Sequence, residues 1–124
     1  MITFDKFIIE DDSPIYLQII RFIKRGIVAG IIQNQDELPS RRMLSALLGV
    51  NPNTIQKAYH MLEEEGIMVS QTGAKSFVTI NDKDILRIRM ELLNKETKLW
   101  VNAMREMKVS KEEASELLNQ IWEE

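Results

Sequence analysis

Only three residues, Gly49, Val50 and Asn51, stand between two segments of helical period, and this spacing restricts the fold more than any other feature of the chain. Upstream, Leu38-Pro39-Ser40 offers a serine N-cap, and Met43, Leu44, Leu47 and Leu48 form an apolar stripe that Gly49 stops. Downstream, Asn51-Pro52 is a cap followed by proline at the first helical position. Ile55, Ala58, Tyr59 and Leu62 then share one face until Gly66. A link this short makes the two helices a turn-coupled pair.

The flanks complete a unit around that pair. Ser13-Pro14 repeats the cap-and-proline signal, and Ile15, Ile19, Ile20, Ile23 and Ile27 predict a first helix of about four turns, ending near Gly30. Beyond Gly66 the period changes. Residues 67–70 and 76–80 read as short strands around the turn-prone Gln71-Thr72-Gly73-Ala74, a β-hairpin. Three helices and a hairpin give a mainly α fold with a small β-hairpin wing, a winged helix-turn-helix, expected over residues 1–80.

Residues 81–124 read as a two-helix hairpin. Asn81 and Asp82 can cap a long helix in which Ile85, Leu92 and Leu99 recur every seven residues beside Leu86, Leu93, Trp100 and Met107. Ser110 to Glu113 matches a capping box, and Ala114, Leu117, Leu118, Ile121 and Trp122 define the face of a last helix. This segment is too short for an independent ligand-binding domain. Its stripes would be exposed in a monomer, so Ile85, Leu92, Leu93, Leu99, Trp100, Leu117, Leu118, Ile121 and Trp122 are expected to form a symmetric homodimer. The competing arrangement folds the stripes back on the winged helix.

The reader of a winged helix-turn-helix is the second helix of the turn, because the major groove of B-form DNA admits one α-helix. Here its N-terminal end carries Asn51, Asn53, Thr54, Gln56 and Lys57, mostly uncharged donors and acceptors that suit base edges, on a helix N-terminus that suits phosphate. Arg41 and Arg42 open the preceding helix, placed for phosphate or a guanine edge. Side chains of this kind also simply solvate many surfaces.

At these residues the chain resembles the DNA-binding domain of the GntR family of bacterial transcription regulators. The resemblance rests on ordered blocks between residues 14 and 78: Pro14 to Ile19, Gly30, Leu38 to Leu44, Leu48 to Ile55, Leu62 to Gly66, and Gly73 to Val78. The run Asn51 to Tyr59 and the short tail resemble the YtrA-like branch in particular, in which a small helical unit dimerises. The resemblance implies that Arg42 contacts DNA with Ser40 and Arg41 beside it, that Asn51, Asn53, Thr54 and Gln56 lie at the DNA, and that Gly73 forms the wing tip. It also implies repression. This chain departs from the family pattern in three places. Residues 34–37 lack the common loop glycine, Lys75 replaces the second wing glycine, and Pro52 and Gln56 stand where many members carry arginine. Lys75 completes the candidate DNA contacts.

Charge sharpens the partner. The chain has 16 Lys and Arg against 19 Asp and Glu, a net charge of -3. Residues 13–80 nevertheless hold seven basic against five acidic side chains, about +2, and Leu38 to Leu62 has three basic residues and no acid. The expected partner is a double-stranded DNA operator, read as an inverted repeat. The alternative is a winged-helix adaptor that binds protein and never touches DNA.

Enzyme chemistry is not expected. There is no cysteine, and the one histidine, His60, lies off the apolar face and forms no recognised spacing with Ser40 or Ser45. No metal or cofactor is expected, and Glu10-Asp11-Asp12 and Glu63-Glu64-Glu65 read as solvated surface. Met90, Met104 and Met107 could line a pocket for a small-molecule effector, although such methionines more often fill a core. No apolar run approaches the roughly 20 residues of a membrane span, and Met1 to Asp12 lacks the regions of a signal peptide, so a cytoplasmic location is expected.

Overall fold

A computed structural model of the chain describes residues 1–71 and 75–124. Its elements are α1 (Ile15–Val28), β1 (Glu37–Leu38), α2 (Arg41–Leu48), α3 (Pro52–Glu64), β2 (Met68–Gln71), β3 (Lys75–Val78), α4 (Asp82–Glu106) and α5 (Lys111–Trp122). They divide into two compact units, Met1–Arg89 and Met90–Glu124.

In the first unit the helical stripes become one core. Ile19, Ile23 and Ile27 of α1, Leu44 of α2, and Ile55, Ala58, Tyr59 and Leu62 of α3 are all buried, with Ile67, Met68 and Val78 closing the core from the hairpin. Each fully buried large aliphatic side chain stabilises the fold by roughly 1.5–3 kcal/mol before entropy is counted. α3 is the common partner, packing on α1, α2 and β2. The two helix caps flanking the turn stand where the sequence puts them. Ser40 Oγ accepts from the Met43 amide at 3.1 Å, and Asn51 Oδ1 accepts from the Asn53 amide at 2.8 Å.

The hairpin carries a third strand that its two residues hide from sequence patterning. The sheet order is β1-β3-β2, all antiparallel, with Leu38 opposite Ser76 and Met68 opposite Val78. The loop leading into β1 lacks a glycine, and Gln35 takes the left-handed conformation there, at φ 74°, while its amide donates to the Val78 carbonyl at 2.8 Å. The chain start also belongs to the core. Ile2 and Phe4 are buried, the Ile2 amide donates to the Glu37 carbonyl at 2.8 Å, and Phe4, Phe7 and Phe22 form a ring cluster with centroids 4.9–5.7 Å apart.

Two expectations need correction. Ser13 does not cap α1: helix geometry begins after Pro14, and no side chain caps the end. Buried Gln18 instead holds the segment that leads into the helix: its Nε2 donates to the carbonyls of Ser13 at 2.7 Å and Glu10 at 2.8 Å, and its Oε1 accepts from the Glu10 amide at 2.8 Å. Ile85 was expected on a dimer face, but it packs against the first unit's core beside fully buried Ile88. Both residues lie within the first compact unit, Met1–Arg89. The acidic run 63–65 lies at the surface, where Glu63, Glu64 and Glu65 pair with Arg41, His60 and Lys24 at 2.7, 2.8 and 3.0 Å.

In the second unit only Ala114 is buried. Ser110 Oγ accepts from the Glu113 amide at 3.1 Å, as the capping box predicts, and Lys108 makes the turn at φ 62°. Leu92 is half-buried. Leu93, Leu99, Trp100, Met107, Leu117, Leu118, Ile121 and Trp122 are exposed. At the other end of α4, Asn81 and Asp84 cap reciprocally: Asn81 Oδ1 accepts from the Asp84 amide and Asp84 Oδ2 from the Asn81 amide, both at 2.9 Å.

Gln18→Ala is expected to lower the unfolding free energy by about 1–2 kcal/mol, because three backbone groups lose their protein partner. A shift in the urea midpoint at constant slope checks it.

Candidate nucleic-acid interface

The turn between α2 and α3 is held by its own hydrogen bonds. Gly49 is left-handed at φ 67°, a conformation that glycine adopts without steric cost, and its amide donates to the Ser45 carbonyl at 2.9 Å. Ser45 Oγ donates to the Val50 carbonyl at 2.7 Å. α3 then starts at Pro52 with no acidic residue in its first turn, and neither does α2 have one.

With Ile55, Ala58, Tyr59 and Leu62 fully buried, the opposite face of α3 is fixed in solvent. Asn53, Gln56 and Lys57 are exposed and Thr54 is half-buried. Asn51 is exposed too, although its Oδ1 is used by the cap. Arg42 is exposed in the first turn of α2, and Lys75 at the start of β3. The expected contact at Gly73 lies outside the described residues.

Three side chains carry features that sequence spacing does not reveal. Lys57 Nζ sits 4.0 Å from the Tyr16 ring centroid, a cation–π contact that ties the outer edge of α3 to α1. Arg41 is half-buried, and its Nη2 donates to Glu63 Oε1 at 2.7 Å, so its guanidinium faces the wing and α3 instead of standing clear for phosphate. Tyr59 Oη donates to the Pro39 carbonyl at 2.7 Å, pinning α3 to the residue before the α2 cap. Burial pushes the Tyr59 hydroxyl well above its ordinary pKa, and the neighbouring Arg41 charge opposes this only in part. The missed residues Glu63 and Tyr16 gave no signal because their partners lie far away in sequence. Among the described residues there is no group of three or more His, Cys, Asp or Glu that could hold a metal.

A turn-linked helix pair, a bracing first helix and a hairpin beside them define a winged-helix protein of the helix-turn-helix class. A model of bacterial regulatory proteins, gntR family, matches residues 15–78, and the chain belongs to the GntR family. It is similar to the HTH-type transcriptional repressor YtrA of Bacillus subtilis, with 42% identity over 74 residues, 60% of this chain and 57% of YtrA. The match therefore spans little more than half of that relative's length. A GntR family transcriptional regulator from Listeria monocytogenes has a similar structure, with a TM-score of 0.76 and 31% identity, covering 90% of this chain and 98% of the other. The DNA-binding domain of AraR in complex with operator ORR3 is similar over 59% of this chain and 88% of the other, at a TM-score of 0.51 and 30% identity.

Tyr59 makes stability depend on alkaline pH. Unfolded, its hydroxyl ionises near its ordinary 10.0, whereas the folded hydroxyl keeps its proton to higher pH. The folded state thus binds more protons above pH 10, and the unfolding free energy, intact below that pH, falls as pH rises through it. Tyr59→Phe should flatten this decline while costing about 1–3 kcal/mol at neutral pH, since the Pro39 carbonyl loses its donor. Chemical denaturation of both proteins across alkaline pH measures each effect.

Proposed function

We infer that the chain is a sequence-specific DNA-binding transcriptional regulator, a repressor, that binds an inverted-repeat operator as a homodimer in the cytoplasm and catalyses no reaction. The observation that carries this is the fixed outward face of α3: Asn53 and Gln56 are exposed beside the Asn51 cap, with exposed Arg42 on α2, and Leu38 to Leu62 contains no acidic residue. In this reading Asn53, Gln56 and Thr54 meet base edges. Arg42, Ser40, Asn51 and Lys57 meet the backbone or a guanine edge, and Lys75 follows the wing. An adaptor that binds only protein has no need of an acid-free polar face at a helix N-terminus. The solved AraR complex, a similar fold on operator DNA, also favours DNA.

The homodimer is supported by the second unit. A unit of this size with only Ala114 buried cannot be stable alone. Leu93 and Trp100 of α4 and Met107 just beyond its end repeat every seven residues, and all are exposed, with relative exposures of 44%, 38% and 61%. A second copy presents the same stripe and can bury it symmetrically. Two α3 helices would then address half-sites one or more DNA turns apart, roughly 34–36 Å per turn.

Selection of bound sequences from random duplexes should return an inverted repeat, and failure to enrich any duplex would sink the proposal. Affinity for the selected site should fall steeply with salt as counterions are released, and Arg42→Ala should weaken binding by about 1–3 kcal/mol if it reads a base. Light scattering should give twice the chain mass for the wild type and a single chain mass for Leu99→Asp. An unchanged mass would place Leu99 outside the dimer.

A further inference from the structure

Arg41 and Glu63 form a junction that the outward face of α3 does not use. Arg41 Nη2 donates to Glu63 Oε1 at 2.7 Å, and the same carboxylate oxygen accepts from Ser70 Oγ at 3.0 Å. Ser70 Oγ lies 3.3 Å from Ser76 Oγ, a fully buried hydroxyl. The guanidinium also reaches Ser70 Oγ at 3.4 Å and Ser76 Oγ at 3.5 Å, and its carbon sits 5.2 Å from the Tyr59 ring centroid. Two charged side chains thereby join α2, α3, β2 and β3. α3 packs directly on β2, and Arg41 carries hydrogen bonds from α2 to both strands of the hairpin.

An exposed ion pair would contribute little to stability. This one is partly withdrawn from water, and only a planar guanidinium has the forked donors to reach a carboxylate and two hydroxyls together. Its value lies in geometry. We propose that the Arg41–Glu63 pair positions the wing, setting the angle at which the hairpin leaves α3 and so governing the wing's contact with DNA without touching the DNA. This rests on the DNA-binding function inferred above. Arg41 is then a positioning residue, and Lys75, at the start of β3, is the wing contact it controls.

Arg41→Lys tests this, because it keeps the positive charge and removes the fork. Hydrogen exchange, which needs no DNA, should show amides of β2 and β3 exchanging about tenfold faster in the variant while those of α1 and α3 stay protected. On the selected duplex, Lys75→Ala should weaken binding several-fold in the wild-type background and have almost no effect in the Arg41→Lys background. Unchanged exchange in the strands overturns the proposal whatever the DNA result. Faster exchange combined with additive effects of the two substitutions also overturns it, since Arg41 and the wing would then act independently. A wild-type chain that enriches no duplex overturns the DNA-binding function instead, and the exchange result tells the two failures apart. Should Arg41→Lys fail to fold, Ser70→Ala leaves the ion pair intact, removes its hydroxyl link to the wing, and is judged by the same two measurements.

Discussion

The rotation of α3 about its own axis is the constraint on which the rest of the molecule depends. Successive residues of an α-helix are about 100° apart, so a slip of one position would replace buried Ile55 with Gln56. Burying that amide without partners would cost several kcal/mol, and an isoleucine would be left in water. Four fully buried side chains on α3 oppose this slip, and the Tyr59 hydroxyl adds a directional restraint through the Pro39 carbonyl. The polar face is therefore defined by the core behind it. A surface held in this way can present amide groups at fixed positions, which is what recognition of base edges demands.

The parts of this arrangement legible in the sequence are those whose chemistry is local. Ser40, Asn51-Pro52, Gly49 and Ser110 mark helix ends because each cap bonds an amide two or three residues away, or adopts a backbone conformation of its own. The apolar stripes of α1, α2 and α3 likewise report their own buried faces. What stayed hidden depends on distant partners. β1 has two residues and exists only through β3, the Ile2 amide finds Glu37, and Arg41 finds Glu63 at a separation of 22 positions. Ser13-Pro14 misled because the helix begins one residue later than a serine cap requires, with Pro14 itself at the cap position and Ser13 tied to Gln18 through its carbonyl.

The heptad stripe shows a different limit. Ile85, Leu92 and Leu99 share one period, yet Ile85 packs on the winged-helix core, Leu92 is half-buried and Leu99 is exposed. Periodicity identifies a face of a helix but not its partner, and one long helix can meet different partners along its length. Ile88, on the flank of the stripe one turn after Ile85, is fully buried in the same core. No feature within α4 distinguishes it from its apolar neighbours, because its burial is decided by where the end of the hairpin delivers the chain.

Charge along α3 bears on how a polyanion would approach. A helix carries partial positive charge at its N-terminus and partial negative charge at its C-terminus, so three glutamates in the last turn face an unfavourable field. Arg41 and Lys24 each lie within 3.0 Å of one of them and offset that field locally, and His60 Nε2 lies 2.8 Å from Glu64. No acid occupies the first turn. The helix is thus electrically polarised, with its carboxylates engaged at one end and its amides and the Asn51 cap exposed at the other. For the DNA-binding function proposed above, only the N-terminal end can come close to phosphate without repulsion. A net charge of -3 is compatible with this, because long-range attraction is screened within about 10 Å at ordinary salt and the local field at the contact decides the orientation.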